Sequence, residues 1–231
     1  MTYHFDNGLA PYISYMESFL PTTGTDTAGK PFTPETAHQY EVGIKYQPTD
    51  RTLVTLAYFD LTREDYLTTN PVSFRSEQKG EARSRGVEIE ARTQLALGLE
   101  LIASYAYIDA EITEASNPVE EGEPLEYTPE HQASLWSKYT FYGGLLNGLG
   151  LGAGVRYTGD SYGAAFNASN ETLEVPDVTL VDAAITYDID QISLGLHVQN
   201  LLDEEYVATA FDSSATFGIR REVTGSVTYR F

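Results

Sequence analysis

The chain has 231 residues, of which 34 are acidic and 14 are basic, and its formal net charge is −20; it contains no cysteine. This charge argues against the basic surface that nucleic-acid phosphates require, and the lack of cysteine excludes disulfides, thiolate metal sites and a cysteine nucleophile. The sequence has no run of the roughly 20 apolar residues that a membrane-spanning helix needs. A single all-β domain is expected at this length.

Segments in which apolar and polar residues alternate recur along the chain. Alternation with a period of two predicts strands with one apolar and one polar face. About ten strands are predicted, each near the ~9–11 residues that cross a bilayer when tilted. In chain order they are Pro11–Phe19, His38–Gln47, Thr52–Tyr66, Ser84–Leu95, Gly98–Ile112, His131–Tyr142, Leu149–Thr158, Val178–Ile189, Gln191–Leu202 and Glu222–Phe231.

The predicted connections alternate between short turns and long loops. The long loops are Leu20–Ala37, Leu67–Arg83, Thr113–Glu130, Gly159–Asp177 and Asp203–Phe217. Outer-membrane barrels have this arrangement, with short periplasmic turns and longer extracellular loops. The sequence therefore favours a transmembrane antiparallel β-barrel whose last strand ends at the periplasmic side.

The two faces of the predicted strands differ in the way that a membrane barrel requires. Charged residues fall opposite the apolar face; they are Glu41, Lys45, Glu88, Glu90, Arg92, Arg156, Asp182, Asp188 and His197. Tyrosine and phenylalanine lie near the ends of the apolar face, as in the aromatic girdles of membrane barrels. Two alternatives stay open: a small stand-alone outer-membrane barrel acting as a pore or adhesin, and a soluble lipocalin-like binding module with its apolar face inside.

Several longer motifs resemble those of one receptor family. They are "HQYEVGIKYQP" (His38–Pro48), "EARSRGVEIEA" (Glu81–Ala91), "ASYAYIDAEIT" (Ala103–Thr113), "PEHQASLWSKYTF" (Pro129–Phe141), "VQNLLDEEYVAT" (Val198–Thr209) and the closing "YRF". In this order they resemble the C-terminal half of the barrel of TonB-dependent ferric-siderophore receptors, with the ferrichrome and ferrioxamine branch most similar. The resemblance implies a 22-stranded barrel around an N-terminal plug, and uptake of iron chelates powered by TonB.

The resemblance also implies a domain assignment and a set of partners. Residues 1–231 are expected to be the C-terminal portion of the barrel domain, without the plug, so that the chain is a fragment of an outer-membrane receptor of a Gram-negative bacterium. Its expected partners are a ferric siderophore of hydroxamate type, TonB through the missing N-terminal region, the barrel assembly machinery, and outer-membrane lipids and lipopolysaccharide. Val227, Tyr229 and Phe231 match the C-terminal signal that the insertion machinery accepts in such proteins.

No arrangement of residues indicates an enzyme. The histidines His4, His38, His131 and His197 are far apart and match no metal-binding spacing. Iron is expected to arrive inside the siderophore, so that no protein-bound cofactor is implied.

Aromatic residues in the predicted long loops are the candidate ligand contacts. Siderophore chelates are bulky and partly apolar, and such ligands are recognised by aromatic rings with a few polar donors. The candidates are Tyr66, Phe74, Tyr127, Tyr162, Phe166, Phe211 and Phe217.

Overall fold

The computed structural model describes residues 1–26, 28–70, 72–163, 173–211 and 214–231. Within these ranges ten strands form one sheet, in the order β1-β2-β3-β4-β5-β6-β7-β10-β11-β14, and two further two-stranded sheets pair β8 with β9 and β12 with β13. The strands are β1 Leu9–Leu20, β2 Glu35–Thr49, β3 Thr52–Thr69, β4 Ser76–Ala96, β5 Leu99–Glu114, β6 His131–Thr140, β7 Leu149–Thr158, β8 Ser161–Gly163, β9 Leu173–Val175, β10 Val178–Ile189, β11 Ile192–Gln199, β12 Val207–Phe211, β13 Ser214–Phe217 and β14 Glu222–Tyr229. One short 3-10 turn covers Gly144–Leu146.

The ten-stranded sheet is an antiparallel meander, which confirms the predicted number and direction of the main strands. Residues 50–51, 97–98, 141–148 and 190–191 join the strands at one end of the sheet. The other end, which is called the loop rim below, carries the connections 21–34, 70–75, 115–130, 159–177 and 200–221, of which only 70–75 is short. Among the described residues no pairing joins β1 to β14, so the sheet has two edges. Residues 1–5 fold back along the β1 edge, where the Tyr3 amide donates to the Pro11 carbonyl at 3.0 Å.

One predicted connection was wrong. The loop predicted at Leu67–Arg83 is mostly strand, because β3 continues to Thr69 and β4 already begins at Ser76. The two strands stay paired up to Thr69 and Ser76, and the true connection is only residues 70–75. The polar composition of residues 76–83 hid this extension, since above a membrane a strand does not need an apolar face.

Two other predicted loops contain small hairpins that the sequence did not reveal. Ser161 pairs with Val175 in the β8–β9 hairpin, and Phe211 pairs with Ser214 in the β12–β13 hairpin. Their strands have only three to five residues, too few to show a regular alternation.

The strand register confirms the predicted division of the faces. Ile185 lies opposite Leu196 and Leu151, and these outward side chains are half exposed, with Ile185 at 49% and Leu196 at 45% of full exposure. Neighbouring positions place Asp182 and Glu88 on the other face, beside Gly154 and Ala57. Because the large apolar residues point outward rather than into an enclosed core, the soluble lipocalin-like alternative is wrong.

Glycine is required where the short turns close. Gly98 and Gly148 have φ angles of +84° and +87°, and a Cβ on either would lie 2.2 Å from a carbonyl oxygen of the neighbouring strand. Only glycine therefore allows the backbone to pass so close to the neighbouring strand at these two positions. In the described part of the chain, no helix has the length and apolar character to cross a membrane.

Candidate ligand-binding site

The predicted ligand contacts fall into two groups at the loop rim. Tyr66 and Phe74 belong to the β3–β4 hairpin, whereas Tyr127, Tyr162, Phe211 and Phe217 belong to the connections after β5, β7 and β11. Phe166 lies outside the described residues.

Tyr66 is held between charged and small neighbours near the top of β3. The guanidinium carbon of Arg63 lies 4.8 Å from the centre of the Tyr66 ring, and Nη2 of Arg63 donates to Glu35 at 2.9 Å. The ring packs on Gly80, where a Cβ would come within 2.6 Å of it. Burial raises the pKa of the Tyr66 hydroxyl, with Arg63 opposing the shift. Arg63 and Gly80 therefore contact the Tyr66 ring from different elements of the loop rim.

Phe74 lies apart from the other candidates, at the tip of the β3–β4 hairpin. Its φ is +53°, its side chain is exposed, and its amide donates to the Asn70 carbonyl at 2.8 Å. The Asn70 side chain accepts from the amides of Val72 at 2.9 Å and Ser73 at 3.0 Å. The turn is thus an Asn-stabilised loop that presents Phe74 at its surface.

Tyr127 lies where three connections meet. Its hydroxyl donates to the Ala210 carbonyl at 2.9 Å, and its amide donates to the Tyr162 carbonyl at 2.7 Å. Phe211 follows Ala210 at the end of β12 and is 53% exposed, and Phe217 is exposed at the end of β13. The structure thereby brings Tyr127, Tyr162 and the β12–β13 hairpin together.

The connection after β5 links this group to the β3–β4 hairpin. The hydroxyls of Ser116 and Thr68 lie 2.7 Å apart, and Ser116 donates to the Glu77 carboxylate at 3.2 Å. At its other end, burial raises the pKa of Glu126, and the nearby Glu120 carboxylate adds to the shift. The loop rim therefore forms a continuous series of contacts from β3 to the β12–β13 hairpin.

Asn200 was not among the predicted site residues. It organises residues 200–221 between β11 and β14, which are called the last connection below. It is 2% exposed with a φ of +50°. Its side-chain nitrogen donates to the carbonyls of Glu204 at 2.9 Å and Ile219 at 3.2 Å, and its side-chain oxygen accepts from the Glu204 amide at 2.8 Å. An asparagine inside the motif "NLLDEEY" was the available signal, because asparagine tolerates a left-handed backbone and bonds nearby main chain.

Ion pairs join the beginning of the last connection to its end. Arg220 and Arg221 both contact Asp203, with Nη2 of Arg220 donating at 2.8 Å and the Arg221 amide donating at 3.0 Å. Hydrogen bonds from Arg220 and Arg221 hold the pKa of Asp203 well below its usual range. Within the sheet, Arg156 donates to Asp182 at 3.1 Å, and Asp182 accepts from the Asn200 amide at 2.9 Å.

On the polar face of β6 and β7, a large aromatic ring packs on glycines. Trp136 lies across Gly152 and Gly154, where a Cβ on either glycine would come within 2.5 Å of the indole. The alternating glycines of "GLGAGV" thus make room for one large ring on the polar side of the sheet. In the described ranges no group of three or more His, Asp or Glu side chains is arranged to hold a metal ion.

The sequence matches the family model described as "TonB dependent receptor-like, beta-barrel" over residues 1–201. Among curated proteins, it is 44% identical to the "Ferrichrome outer membrane transporter/phage receptor" of Escherichia coli (strain K12), over 100% of this chain and 31% of that protein. It is 36% identical to the "Ferrioxamine B receptor" of Salmonella typhimurium (strain SL1344), over 100% of this chain and 33% of that protein. The chain therefore spans about a third of the length of these relatives.

Solved receptor structures have the same fold. The pyoverdine outer membrane receptor FpvA from Pseudomonas aeruginosa PAO1, bound to pyoverdine, superposes with a TM-score of 0.84 at 26% identity, covering 100% of this chain and 35% of that one. The ferric-catecholate import receptor Fiu from Escherichia coli K12 superposes with a TM-score of 0.81 at 27% identity, covering 100% of this chain and 34% of that one. These relatives are outer-membrane receptors and transporters, not enzymes, and the exposed apolar face of the sheet fits that location. The chain belongs to the TonB-dependent receptor-like β-barrel family.

Proposed function

We propose that this chain is the C-terminal portion of the barrel wall of an outer-membrane receptor that takes up a ferric hydroxamate siderophore. The observation that carries the proposal is the identity of 44% to a ferrichrome transporter, extending over the whole chain and supported by the ferrioxamine B receptor at 36%. In this proposal the remaining strands and a plug complete the receptor, because a sheet with two edges leaves backbone groups that lipid cannot satisfy.

The loop rim supplies the chemistry that such a ligand needs. A ferric hydroxamate chelate is bulky and partly apolar, so that aromatic rings with a few fixed polar groups are suited to it. Tyr66, Tyr162, Phe211 and Phe217 provide rings around the rim, and the ion pair of Arg63 with Glu35 provides fixed polar groups beside Tyr66. Iron enters inside the ligand as cargo, which leaves the protein without a metal to hold.

The other proposed partners act at different surfaces. TonB would act through the part of the receptor that precedes this barrel portion. Lipids and lipopolysaccharide would cover the outward apolar face. The barrel assembly machinery would recognise Val227, Tyr229 and Phe231, which are all exposed at the end of the chain.

Uptake of radiolabelled iron tests this function. The receptor that carries this chain is expressed in a strain without its own hydroxamate receptors, and ferrichrome and ferrioxamine B are supplied separately. We expect cells to accumulate iron from at least one chelate, and an otherwise identical strain without TonB to bind that chelate without accumulating iron. Absence of both binding and uptake, with the receptor present in the outer membrane, would refute the proposal.

A further inference from the structure

The three connections after β5, β7 and β11 are separated in sequence but joined in space. Tyr127 and Ala210 are 83 residues apart, yet the Tyr127 hydroxyl donates to the Ala210 carbonyl at 2.9 Å. The Tyr127 amide donates to the Tyr162 carbonyl at 2.7 Å. One residue therefore contacts both the β8–β9 hairpin and the β12–β13 hairpin.

The two hairpins also contact each other directly. Strand β12 lies against β8 and β9, and a Cβ on Gly163 would come within 2.2 Å of the Ala210 carbonyl oxygen. Ala210 is 6% exposed. The backbones can approach this closely only because position 163 has no side chain.

Tyr127 adopts an uncommon backbone conformation at this junction. Its φ is +58°, a region that costs a bulky residue free energy and persists where surrounding contacts impose it. The bonds to Tyr162 and Ala210 are among the contacts that hold Tyr127 in this conformation. A residue that retains a strained backbone while joining two separate hairpins has a role beyond packing its own loop.

We infer that Tyr127 is a positioning residue: it couples the β8–β9 and β12–β13 hairpins and so sets the distance between the rings of Tyr162 and Phe211 at the proposed ligand site. The inference deepens the proposed function, since it rests on these two rings contacting the chelate. Tyr127 acts in it through its neighbours, because its hydroxyl is bonded to Ala210.

Spin labels measure the coupling without any ligand. Glu174→Cys in β9 and Ser214→Cys in β13 place one label on each hairpin at exposed positions. This chain adds no cysteine of its own, and any cysteine elsewhere in the receptor is first replaced by serine. Distance distributions are recorded in the full-length receptor with Tyr127, with Tyr127→Phe, and with the control Tyr15→Phe, which removes a hydroxyl bonded to Glu17 on the outer wall. We expect Tyr127→Phe to broaden the distribution and Tyr15→Phe to leave it unchanged.

A second variant reaches the same junction independently. Gly163→Ala introduces a Cβ that collides with the Ala210 carbonyl, so it should shift the two labels apart with Tyr127 intact. A distribution for Tyr127→Phe that is the same as that for Tyr15→Phe would overturn the coupling, and the Gly163→Ala shift shows that the two labels report on this junction.

Dissociation of the chelate tests the positioning role. Tyr127→Phe should speed release of the bound chelate by roughly two- to tenfold, the range expected for one neutral hydrogen bond, while the melting temperature of the barrel stays that of the Tyr15→Phe control. An unchanged release rate would overturn the positioning role. If the unsubstituted receptor binds neither chelate, the proposed function fails, and the distance distributions still decide whether Tyr127 couples the hairpins.

Discussion

The loop rim is built differently over the two halves of the sheet. The half formed by β3, β4 and β5 is called the tall side below. On one side β3, β4 and β5 have 18, 21 and 16 residues, and their paired backbones themselves form the upper wall. On the other side β6, β7, β10, β11 and β14 have only 8 to 12 residues, and the wall above them consists of connections held by side chains. The first region owes its shape to strand pairing that continues upward past register shifts at Tyr66 and Glu81, and the second owes it to particular residues such as Asn200 and Tyr127.

The outer surface of the tall side shows where its strands leave the apolar region. Beyond Tyr58 on the same face, Asp60 accepts from Nε of Arg83 at 2.9 Å, and Arg85 donates to Asp109 at 2.8 Å. Charged pairs facing outward are incompatible with hydrocarbon, so this part of the wall stands above it. Substitutions of single side chains are therefore expected to affect the two regions very differently.

The largest effect is expected for Asn200→Ala. The change removes three side-chain hydrogen bonds, takes the Asn200 partner from main-chain groups of Glu204 and Ile219, and puts alanine at a positive φ. We expect the last connection to lose about 2 to 4 kcal/mol of local stability. Tryptic cleavage after Arg220 or Arg221, followed by mass spectrometry, should be at least roughly tenfold faster.

Asn70→Ala is the matched control on the tall side. Asn70 also bonds main-chain amides in a connection, but the flanking strands β3 and β4 remain paired up to Thr69 and Ser76. Cleavage after Arg75 should change less than roughly threefold. Equal effects of the two substitutions would contradict the division of the rim into two regions.

Loss of the charge on Asp203 is expected to have an effect of intermediate size on the last connection. Its pKa is lowered by Arg220 and Arg221, so its stabilising contribution is fully present above the ordinary aspartate pKa of 3.8 and is lost as the pH falls from there through the lowered value. A spin label at Ser214→Cys should show the same mobility from about pH 7 to about pH 4.

The substitution Asp203→Asn should raise the mobility of that label already at neutral pH, because it removes the charge that both arginines contact. Asp6→Asn, near the short turns at the opposite end of the sheet, serves as the control and should leave the label unaffected. A mobility that follows pH in the same way with and without Asp203 would show that this carboxylate does not hold the connection.

The smallest effect is expected for Arg83→Gln on the tall side. Its pair with Asp60 lies on the surface, with 41% of the arginine side chain exposed, and the strands beneath it are paired on both sides. The loss should stay below about 1 kcal/mol. The temperature at which the folded barrel loses its faster mobility in gel electrophoresis measures this loss, and a fall as large as that of Asn200→Ala would refute the comparison.

Much of the sheet could be predicted from the sequence because the alternation of apolar and polar residues that marks a strand is a local property of the chain. A residue's face in a strand follows from the parity of its position, so Glu88, Asp182 and Ile185 could be assigned to their faces from the alternation alone. Where lipid no longer imposes an apolar face, the alternation weakens, and residues 76–83 of β4 were mistaken for loop for that reason. The hairpins β8–β9 and β12–β13 were missed because their strands are too short for any pattern.

The sequence by itself determined the all-β fold, the ten main strands and the outward direction of the apolar residues, since each depends on neighbours two positions apart. Only the tertiary structure decided which rim residues meet. Tyr127 reaches Ala210 across 83 residues, and Arg220 reaches Asp203 across 17, through contacts that exist only after the sheet has set the spacing of its connections. No local pattern encodes such a meeting, because it depends on where the intervening strands carry the chain.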